Sequence, residues 1–202
     1  MKSSWRVLIS ILILITLEGG LAGCAASGEE PESPAADAAV LNATRVPVGG
    51  VISQWGTSAE GSSEFANPEW GASQAVGSPD VPGCGDYQFA WASAASDSIA
   101  TLEVSFSRAV YPLEIFIHES FNPDQVVKVE VLNPDTGAYY TVLQKNPVQI
   151  DRPCPYVLDV VVGSIDFKTD RVRITVDQSQ LGLGWNEIDA VQLIGSFRLP
   201  EG

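Results

Sequence analysis

The sequence is poor in the residues that enzymes most often use for catalysis. It has a single histidine, His118, among its 202 residues. His118 lies in an alternating strand pattern, in which the adjacent Glu119 points to the opposite face of the sheet, so the two side chains do not readily share a site. We find no nucleophile elbow, phosphate-binding loop or paired glycosidase acids. We therefore expect that the protein is not an enzyme.

Basic residues are scarce as well. The chain has 11 lysines and arginines against 25 acidic residues, a formal net charge of −14. A surface of this sign repels nucleic-acid phosphates and anionic lipid head groups. Nucleic acid is therefore excluded as a partner.

Long apolar runs are missing except for one near the N-terminus. This run, Val7–Leu17, has eleven residues, whereas a membrane-spanning helix needs about 20. A short basic stretch precedes it, and the small residues of LAGC, which end at Cys24, follow it. The pattern predicts a signal peptide over 1–23. LAGC resembles the bacterial lipobox, in which the cysteine sulfur takes a diacylglycerol; an ordinary secretory signal with an accidental cysteine is the alternative.

Acylation of Cys24 would anchor the mature protein to a membrane. Each buried CH₂ of a fatty acyl chain such as palmitate contributes about 0.8 kcal/mol, so a multiply acylated cysteine holds the protein durably. Residues 24–47 are rich in Ala, Ser, Pro and Glu and show no apolar period, which predicts a flexible tether. We expect an extracytoplasmic protein, lipid-anchored to the bacterial cell membrane.

The two remaining cysteines, Cys84 and Cys154, lie in proline- and glycine-rich stretches. An even pair in an oxidising compartment favours a disulfide bond. Such a bond would close a loop of about 70 residues and stabilise the fold by roughly 4 kcal/mol on the chain-entropy model. Two free thiols are the alternative.

Helical periods are missing from the mature chain, apart from a short helix candidate at Pro68–Val76. Instead, β-branched and aromatic runs of about four to nine residues alternate with turn sequences, which is typical of an antiparallel β-sandwich or barrel. We therefore predict an all-β domain over 48–198. Its predicted strands are Thr101–Phe106, Tyr111–Glu119, Val126–Leu132, Tyr139–Leu143, Tyr156–Val162, Arg171–Val176 and Glu187–Ile194.

Three segments in chain order resemble the galactose-binding-like jelly rolls, which include discoidin or factor V/VIII type C domains. The first is AVGSPD at 75–80 with WAS at 91–93; the second is VYPLEI at 110–115 with HESFNP at 118–123; the third is LGLGWNEIDAV at 181–191. The last two are similar to the discoidin-like domain of F-box/leucine-rich-repeat proteins. The resemblance implies a jelly-roll sandwich of about eight strands that binds ligands through loops at one end.

Two positions depart from the resembled pattern. Val76 stands where the family has an aspartate, and Asp124 stands where the subgroup usually has glycine. The resemblance therefore does not carry over the detailed loop geometry at these positions, nor a sugar site copied from the relatives.

The resemblance also implies a cofactor, one structural Ca²⁺. Calcium takes six to eight oxygen ligands from a flexible loop, and Asp80 lies in the turn that matches the family's early loop. Glu187 and Asp189 lie two residues apart, hence on one face, at the start of the last predicted strand. These three residues are the candidate ligands. The alternative is that Asp189 only accepts backbone hydrogen bonds.

Aromatic residues supply the candidates for ligand binding, because an exposed ring can stack on a sugar whereas a buried one fills the core. Trp55, Trp70 and Tyr87 lie in turn-rich stretches and are the candidate binding residues. Trp91 and Trp185 are expected in the core, as their family counterparts are. The function we expect is a non-catalytic cell-surface binding lipoprotein that recognises glycan or a protein partner. The alternative is a structural or assembly lipoprotein of an envelope complex with no small ligand.

Overall fold

The computed structural model describes residues 50–150 and 152–200. The predicted signal peptide 1–23 and the whole of the predicted tether 24–47, with Cys24, lie outside these residues. No helix in the described part of the chain is long and apolar enough to span a membrane. The described strands are β1 (Val51–Trp55), β2 (Ser58–Gly61), β3 (Ile99–Phe121), β4 (Val126–Leu132), β5 (Tyr139–Gln144), β6 (Tyr156–Val161), β7 (Thr169–Asp177) and β8 (Glu187–Ser196).

The strands pair antiparallel throughout. The first half of β3 belongs to one sheet, in the order β2-β3-β7-β4-β5, and its second half to another, in the order β1-β8-β3-β6. A register shift between Ser105 and Val110 marks the place where β3 passes from one sheet to the other. The two runs predicted as separate strands are thus one continuous strand. The all-β, eight-stranded prediction is confirmed.

The core lies between the two sheets and follows the period-two pattern of the sequence. In β3, Leu102 and Val104 are fully buried while Glu103 between them remains partly exposed, as a strand with one inward face requires. Trp91, 0 % exposed, packs into this core and bridges to Ile188 at the start of β8. The prediction that Trp91 is internal is confirmed.

The predicted helix at Pro68–Val76 is only partly present. The structure has a single turn of 3-10 helix over Ala72–Ala75. Trp70 has a φ of +54°, a left-handed conformation that cannot belong to a right-handed helix. The helix therefore begins later than the sequence pattern indicates.

One end of the sandwich gathers four connections: β2–β3, β3–β4, β5–β6 and β7–β8. This follows from the pairing, since Phe121 at the end of β3 pairs with Glu187 at the start of β8. On the other sheet, Ile99 at the start of β3 pairs with Asp177 at the end of β7. We call this end of the sandwich the loop end.

A disulfide bond joins two of these connections. Cys84, in the β2–β3 connection, is bonded to Cys154, in the β5–β6 connection, with an S–S distance of 2.07 Å and a sequence separation of 70. The predicted pairing is confirmed. The backbone N–H of Gly85 also donates to the carbonyl of Ser120 at the end of β3, at 3.1 Å, so a hydrogen bond to the sandwich lies next to the disulfide bond.

Candidate ligand-binding site

Three aromatic side chains meet at the loop end. Phe65 packs edge-on against Trp70, with ring centroids 5.4 Å apart, and against Trp185, at 5.3 Å. Phe65 is 49 % exposed, and both indoles are partly exposed. We call these three residues the aromatic cluster. Such edge-to-face pairs stabilise a structure by more than the burial of their apolar area alone. The cluster therefore exposes aromatic surface to solvent while its rings are held against one another.

Hydrogen bonds fix the orientation of both indoles. Trp70 Nε1 donates to Asp86 Oδ1 at 2.8 Å, and Trp185 Nε1 donates to the carbonyl of Ser93 at 2.9 Å. Because each indole is hydrogen-bonded through its N–H group, the orientation of its apolar surface is fixed before any ligand binds.

The backbone around Trp185 is hydrogen-bonded to the turn that follows β3. Asn122 Nδ2 donates to the carbonyl of Leu183 at 2.7 Å and to the carbonyl of Trp185 at 3.0 Å. Asn122 itself has a φ of +42°, a left-handed conformation that asparagine adopts more readily than most residues. The turn after β3 therefore positions one wall of the aromatic cluster.

Two carboxyl groups, the exposed Asp86 and the buried Glu187, adjoin the aromatic rings. Glu187 is 1 % exposed, and its Oε2 accepts a hydrogen bond from the backbone N–H of Tyr87 at 3.1 Å. Burial raises the pKa of Glu187 to about 8, and the neighbouring charge of Asp86 adds to the increase. Together with the rings these carboxyl groups line a cavity of about 30 Å³, whose lining is Phe65, Trp70, Asp86, Ala92, Trp185 and Glu187.

The predicted binding residues are only partly brought together. Trp70 lies in the aromatic cluster, and Tyr87 adjoins it through its backbone N–H. Trp55 lies apart, at the end of β1, with its ring centroid 5.4 Å from that of His118. Trp185, expected in the core, is partly exposed. Phe65 was not singled out from the sequence, although a lone aromatic residue in a Ser-, Gly- and Asn-rich stretch is a usable signal.

The three candidate calcium ligands do not form one group. Asp189 Oδ1 accepts from the backbone N–H of Asp80 at 3.3 Å, while Glu187 lies beside Asp86. Burial raises the pKa of Asp189, and the charge of Asp80 adds to this. Within 50–150 and 152–200, no three His, Cys, Asp or Glu side chains converge as a metal site. The backbone-accepting role considered for Asp189 is present, and calcium binding stays a prediction.

Asp124, where the resembled subgroup has glycine, keeps the backbone conformation that a glycine would adopt. Its φ is +84°, and it is 4 % exposed. Its carboxylate accepts a hydrogen bond from the N–H of Ile150 at 2.7 Å and pairs with Arg152. These contacts offset the cost of the left-handed backbone. Asp124 therefore ties the β5–β6 connection, which carries Cys154, to the end of β3.

The fold and the site together define a galactose-binding-like jelly roll with its candidate binding surface among the loops of one end. The sequence profile of the pappalysin-1 SD scarf domain, C-terminal, matches residues 46–200. The chain belongs to this family. No curated protein sequence matches it significantly.

Solved structures support the same fold. A chitosan-binding module of a chitosanase/glucanase from Paenibacillus sp. IK-5 is similar over 68 % of this chain and 92 % of its own, with 14 % identity and a TM-score of 0.53. XRCC1, solved bound to the catalytic domain of DNA polymerase β, has 15 % identity, coverage of 70 % and 93 %, and a TM-score of 0.50. A family 32 carbohydrate-binding module of NanJ from C. perfringens, solved with galactose, has 17 % identity, coverage of 71 % and 99 %, and a TM-score of 0.48. The predicted resemblance to galactose-binding-like jelly rolls is confirmed.

Proposed function

We propose that the protein is a non-catalytic binding module that recognises glycan through the aromatic cluster at its loop end. The observation that carries the proposal is the half-exposed ring of Phe65, held between two indoles whose N–H groups are already bonded. Ring faces and edges of this kind stack on the apolar C–H face of a sugar. The chitosan-binding module named above shares the fold and supports the same class of ligand.

The geometry sets how a sugar would bind. The cavity of about 30 Å³ is too small for a pyranose ring, so the ring would lie on the outer surface of the cluster. Asp86, which already accepts from Trp70 Nε1, has a second carboxylate oxygen to accept from a sugar hydroxyl. Shallow binding by aromatic contact and few hydrogen bonds implies modest affinity for each sugar unit.

The test compares two phenylalanines of the β2–β3 connection. Phe65 is 49 % exposed and lies in the cluster, whereas Phe89 is 44 % exposed and does not line the cavity. The full chain, purified in detergent, is assayed for retention on insoluble polysaccharides. Phe65→Ala should weaken retention about tenfold, since a lost aromatic contact costs about 1 kcal/mol or more, and Phe89→Ala should leave it within about twofold.

Two results would contradict the proposal. One is that no polysaccharide retains the wild-type protein even at millimolar sugar concentration. The other is equal retention of the Phe65→Ala variant and the wild type, which would show that the aromatic cluster is not the binding surface.

A second candidate function is that of a structural or assembly protein of the cell envelope with a protein partner. It is favoured by β6, an edge strand that exposes Val157 (42 %) and Val161 (71 %). Exposed apolar edges pair readily with other chains, and XRCC1 has this fold in a complex with a protein. Val161→Lys should then abolish copurification of an envelope partner while polysaccharide retention is unchanged. Unchanged copurification would contradict this candidate.

A further inference from the structure

We propose that the end of the sandwich opposite the loop end docks on the surface of a lipid bilayer, with apolar side chains in the head-group region and basic side chains at the phosphate groups. This inference concerns a second surface of the domain and does not depend on glycan binding. Four features lead to it: the place where the chain enters the domain, the distribution of charge, the exposed apolar side chains and the pairing of cations with aromatic rings.

The first feature is the place where the chain enters the domain. Val51, the first residue of β1, pairs with Ser196, the last residue of β8, and Tyr111, just after the bend of β3, pairs with Ser196 as well. The β4–β5 and β6–β7 connections lie at the same end, since β4 and β6 run towards it from the loop end. We call this end, with residues 107–109, 133–138, 162–168 and 197–200, the opposite end. A lipid on Cys24 would therefore tether the domain through the opposite end.

The second feature is the distribution of charge. The connections of the loop end (62–98, 122–125, 145–155 and 178–186) carry seven acidic and two basic residues, whereas the segments of the opposite end carry two acidic and three basic ones. The three basic residues are Arg108, Lys168 and Arg198, and no ion pair among the described residues involves them. An anionic bilayer surface attracts basic side chains and repels acidic ones. Of the two ends, only the opposite end has the charge to approach such a surface.

The third feature is a group of exposed apolar side chains at the opposite end. Leu199 is 53 % exposed, Val161 71 % and Val51 39 %. A groove of about 570 Å³ lies beside Leu199, and its lining includes Leu113 and Ile165. Side chains of this kind gain hydrophobic free energy when they move from water into the boundary between head groups and acyl chains.

The fourth feature is the pairing of cations with aromatic rings. Lys168 Nζ lies 5.4 Å from the centroid of the Tyr111 ring, and the guanidinium carbon of Arg108 lies 5.6 Å from the centroid of the Phe197 ring. Aromatic rings at the level of the head groups, with lysine and arginine extending their charged ends to the phosphates, are typical of a protein surface at a bilayer interface. The opposite end therefore has the residue types that a bilayer surface requires.

The test uses the position of tryptophan in the fold. The native tryptophans of the domain, Trp55, Trp70, Trp91 and Trp185, lie outside the segments of the opposite end, and Leu199→Trp places one there. The full chain is reconstituted into vesicles of phosphatidylethanolamine with a minor share of phosphatidylglycerol, with acyl chains that are either brominated or ordinary. The fluorescence that Leu199→Trp adds to that of the wild type should fall about twofold or more in brominated vesicles, because bromine quenches a ring seated at the acyl boundary. The wild-type fluorescence should change little.

Charge variants in the Leu199→Trp background then locate the effect. Lys168→Gln should lower the ratio of docked to undocked domain about fivefold, since each basic side chain near an anionic surface contributes to binding. Lys145→Gln removes the same charge from the loop end and should leave the ratio unchanged. Added salt should weaken the quenching, because it screens the attraction.

Three outcomes would overturn the inference. One is equal fluorescence of Leu199→Trp in brominated and ordinary vesicles, which would show a domain that does not touch the bilayer. Another is equal quenching of the wild type, which would show that the loop end faces the lipid. The third is a dimer of the wild type in detergent that Leu199→Asp separates, since a second copy would then cover this surface. Polysaccharide retention is measured separately, and its failure would overturn glycan binding while leaving this inference intact.

Discussion

Glu119 combines burial with an ionisable group near the end of β3. It is 1 % exposed, and its Oε2 accepts a hydrogen bond from Asn186 Nδ2 at 2.6 Å. Burial raises the pKa of Glu119 to about 7, and the bond from Asn186 offsets only part of the increase. At neutral pH this carboxyl group therefore holds a proton part of the time, beneath the loops that carry the aromatic cluster.

A loss of stability with rising pH follows from this pKa. Unfolded, Glu119 releases its proton near pH 4.5, and folded it does so near pH 7. Between these values the unfolded chain has lost a proton that the folded chain keeps, so the free energy of unfolding falls as the pH rises. The full loss, about 3 kcal/mol, is reached above pH 7.

The Glu119→Gln variant keeps an acceptor for Asn186 but does not titrate. Urea unfolding across this pH range should show the wild type losing about 3 kcal/mol more than the variant. Other titrating groups, His118 and Asp189 among them, affect both proteins alike. Identical pH profiles for the two proteins would contradict the raised pKa.

Calcium binding is a second prediction about single residues. If Asp80, Glu187 and Asp189 bind one ion after a local rearrangement, calcium at 100 times its Kd should stabilise the protein by about 2.7 kcal/mol. Melting curves with calcium and with EDTA measure this difference, and Asp189→Asn should reduce it. An unchanged melting temperature after chelation would exclude a structural calcium ion.

Among the strands, β8 and β3 approach each other unusually closely at Gly195. A Cβ atom at this position would overlap Val110 Cγ2 and lie 2.7 Å from the carbonyl oxygen of Tyr111. The backbone oxygen cannot move aside without breaking the pairing where β3 leaves the first sheet. Gly195→Ala should therefore destabilise the protein by about 1–3 kcal/mol, as overpacking does.

Gly163 provides the matched control for this substitution. It lies in the β6–β7 connection, and a Cβ atom there would meet nothing within 4 Å. Gly163→Ala should change the free energy of unfolding by less than about 1 kcal/mol. Unfolding of both variants at the same urea concentration would contradict the close approach of β8 to β3 at Gly195.

The disulfide bond connects two elements that the sheets do not hold. It closes a loop of 70 residues between the β2–β3 and β5–β6 connections, so replacing Cys84 and Cys154 together by serine should cost about 4 kcal/mol on the chain-entropy model. Retention on polysaccharide should persist wherever the variant remains folded, since neither cysteine lines the cavity. A stability loss below about 1 kcal/mol would contradict the prediction.

Alternation of apolar and polar residues in the sequence predicts those strands that have one face towards the core and one towards solvent. β4, for example, has the same bounds as the run predicted at Val126–Leu132. β2 (SAEG) has no β-branched or aromatic residue, and β1 (VISQW) is only five residues long without apolar–polar alternation. The extended form of both depends on pairing with β3 and β8. The continuity of β3 was missed because Arg108 and Ala109 are exposed at the bend, so the period breaks there as it does in a turn.

The candidate site was predictable only where an aromatic residue stands in a turn-rich stretch of the sequence. Trp70 and Tyr87 were predicted in this way. Phe65, Asp86 and Trp185 come together because the long β2–β3 connection folds back over the start of β8, guided by single hydrogen bonds such as that from the N–H of Phe65 to the carbonyl of Ala92 at 2.9 Å. Such contacts leave no periodic trace in a sequence.

For the whole molecule, the net charge of −14 affects which polymers approach the proposed binding surface. Over about one Debye length, 8 Å at physiological ionic strength, this charge repels anionic polymers and acts little on neutral ones. The proposed location at the outer surface of a membrane would determine which glycans the module meets.

That location depends on Cys24, which we propose carries the lipid anchor. In a bacterial host, the wild type should be recovered in the membrane fraction and should incorporate labelled palmitate. The Cys24→Ser variant should incorporate none, because the acylated sulfur is missing, and should no longer be processed after residue 23. A single acyl chain gives only marginal binding, so durable recovery requires more than one chain. Equal membrane recovery of both proteins, with no label in either, would contradict the anchor and with it the proposed display of the binding site outside the cell.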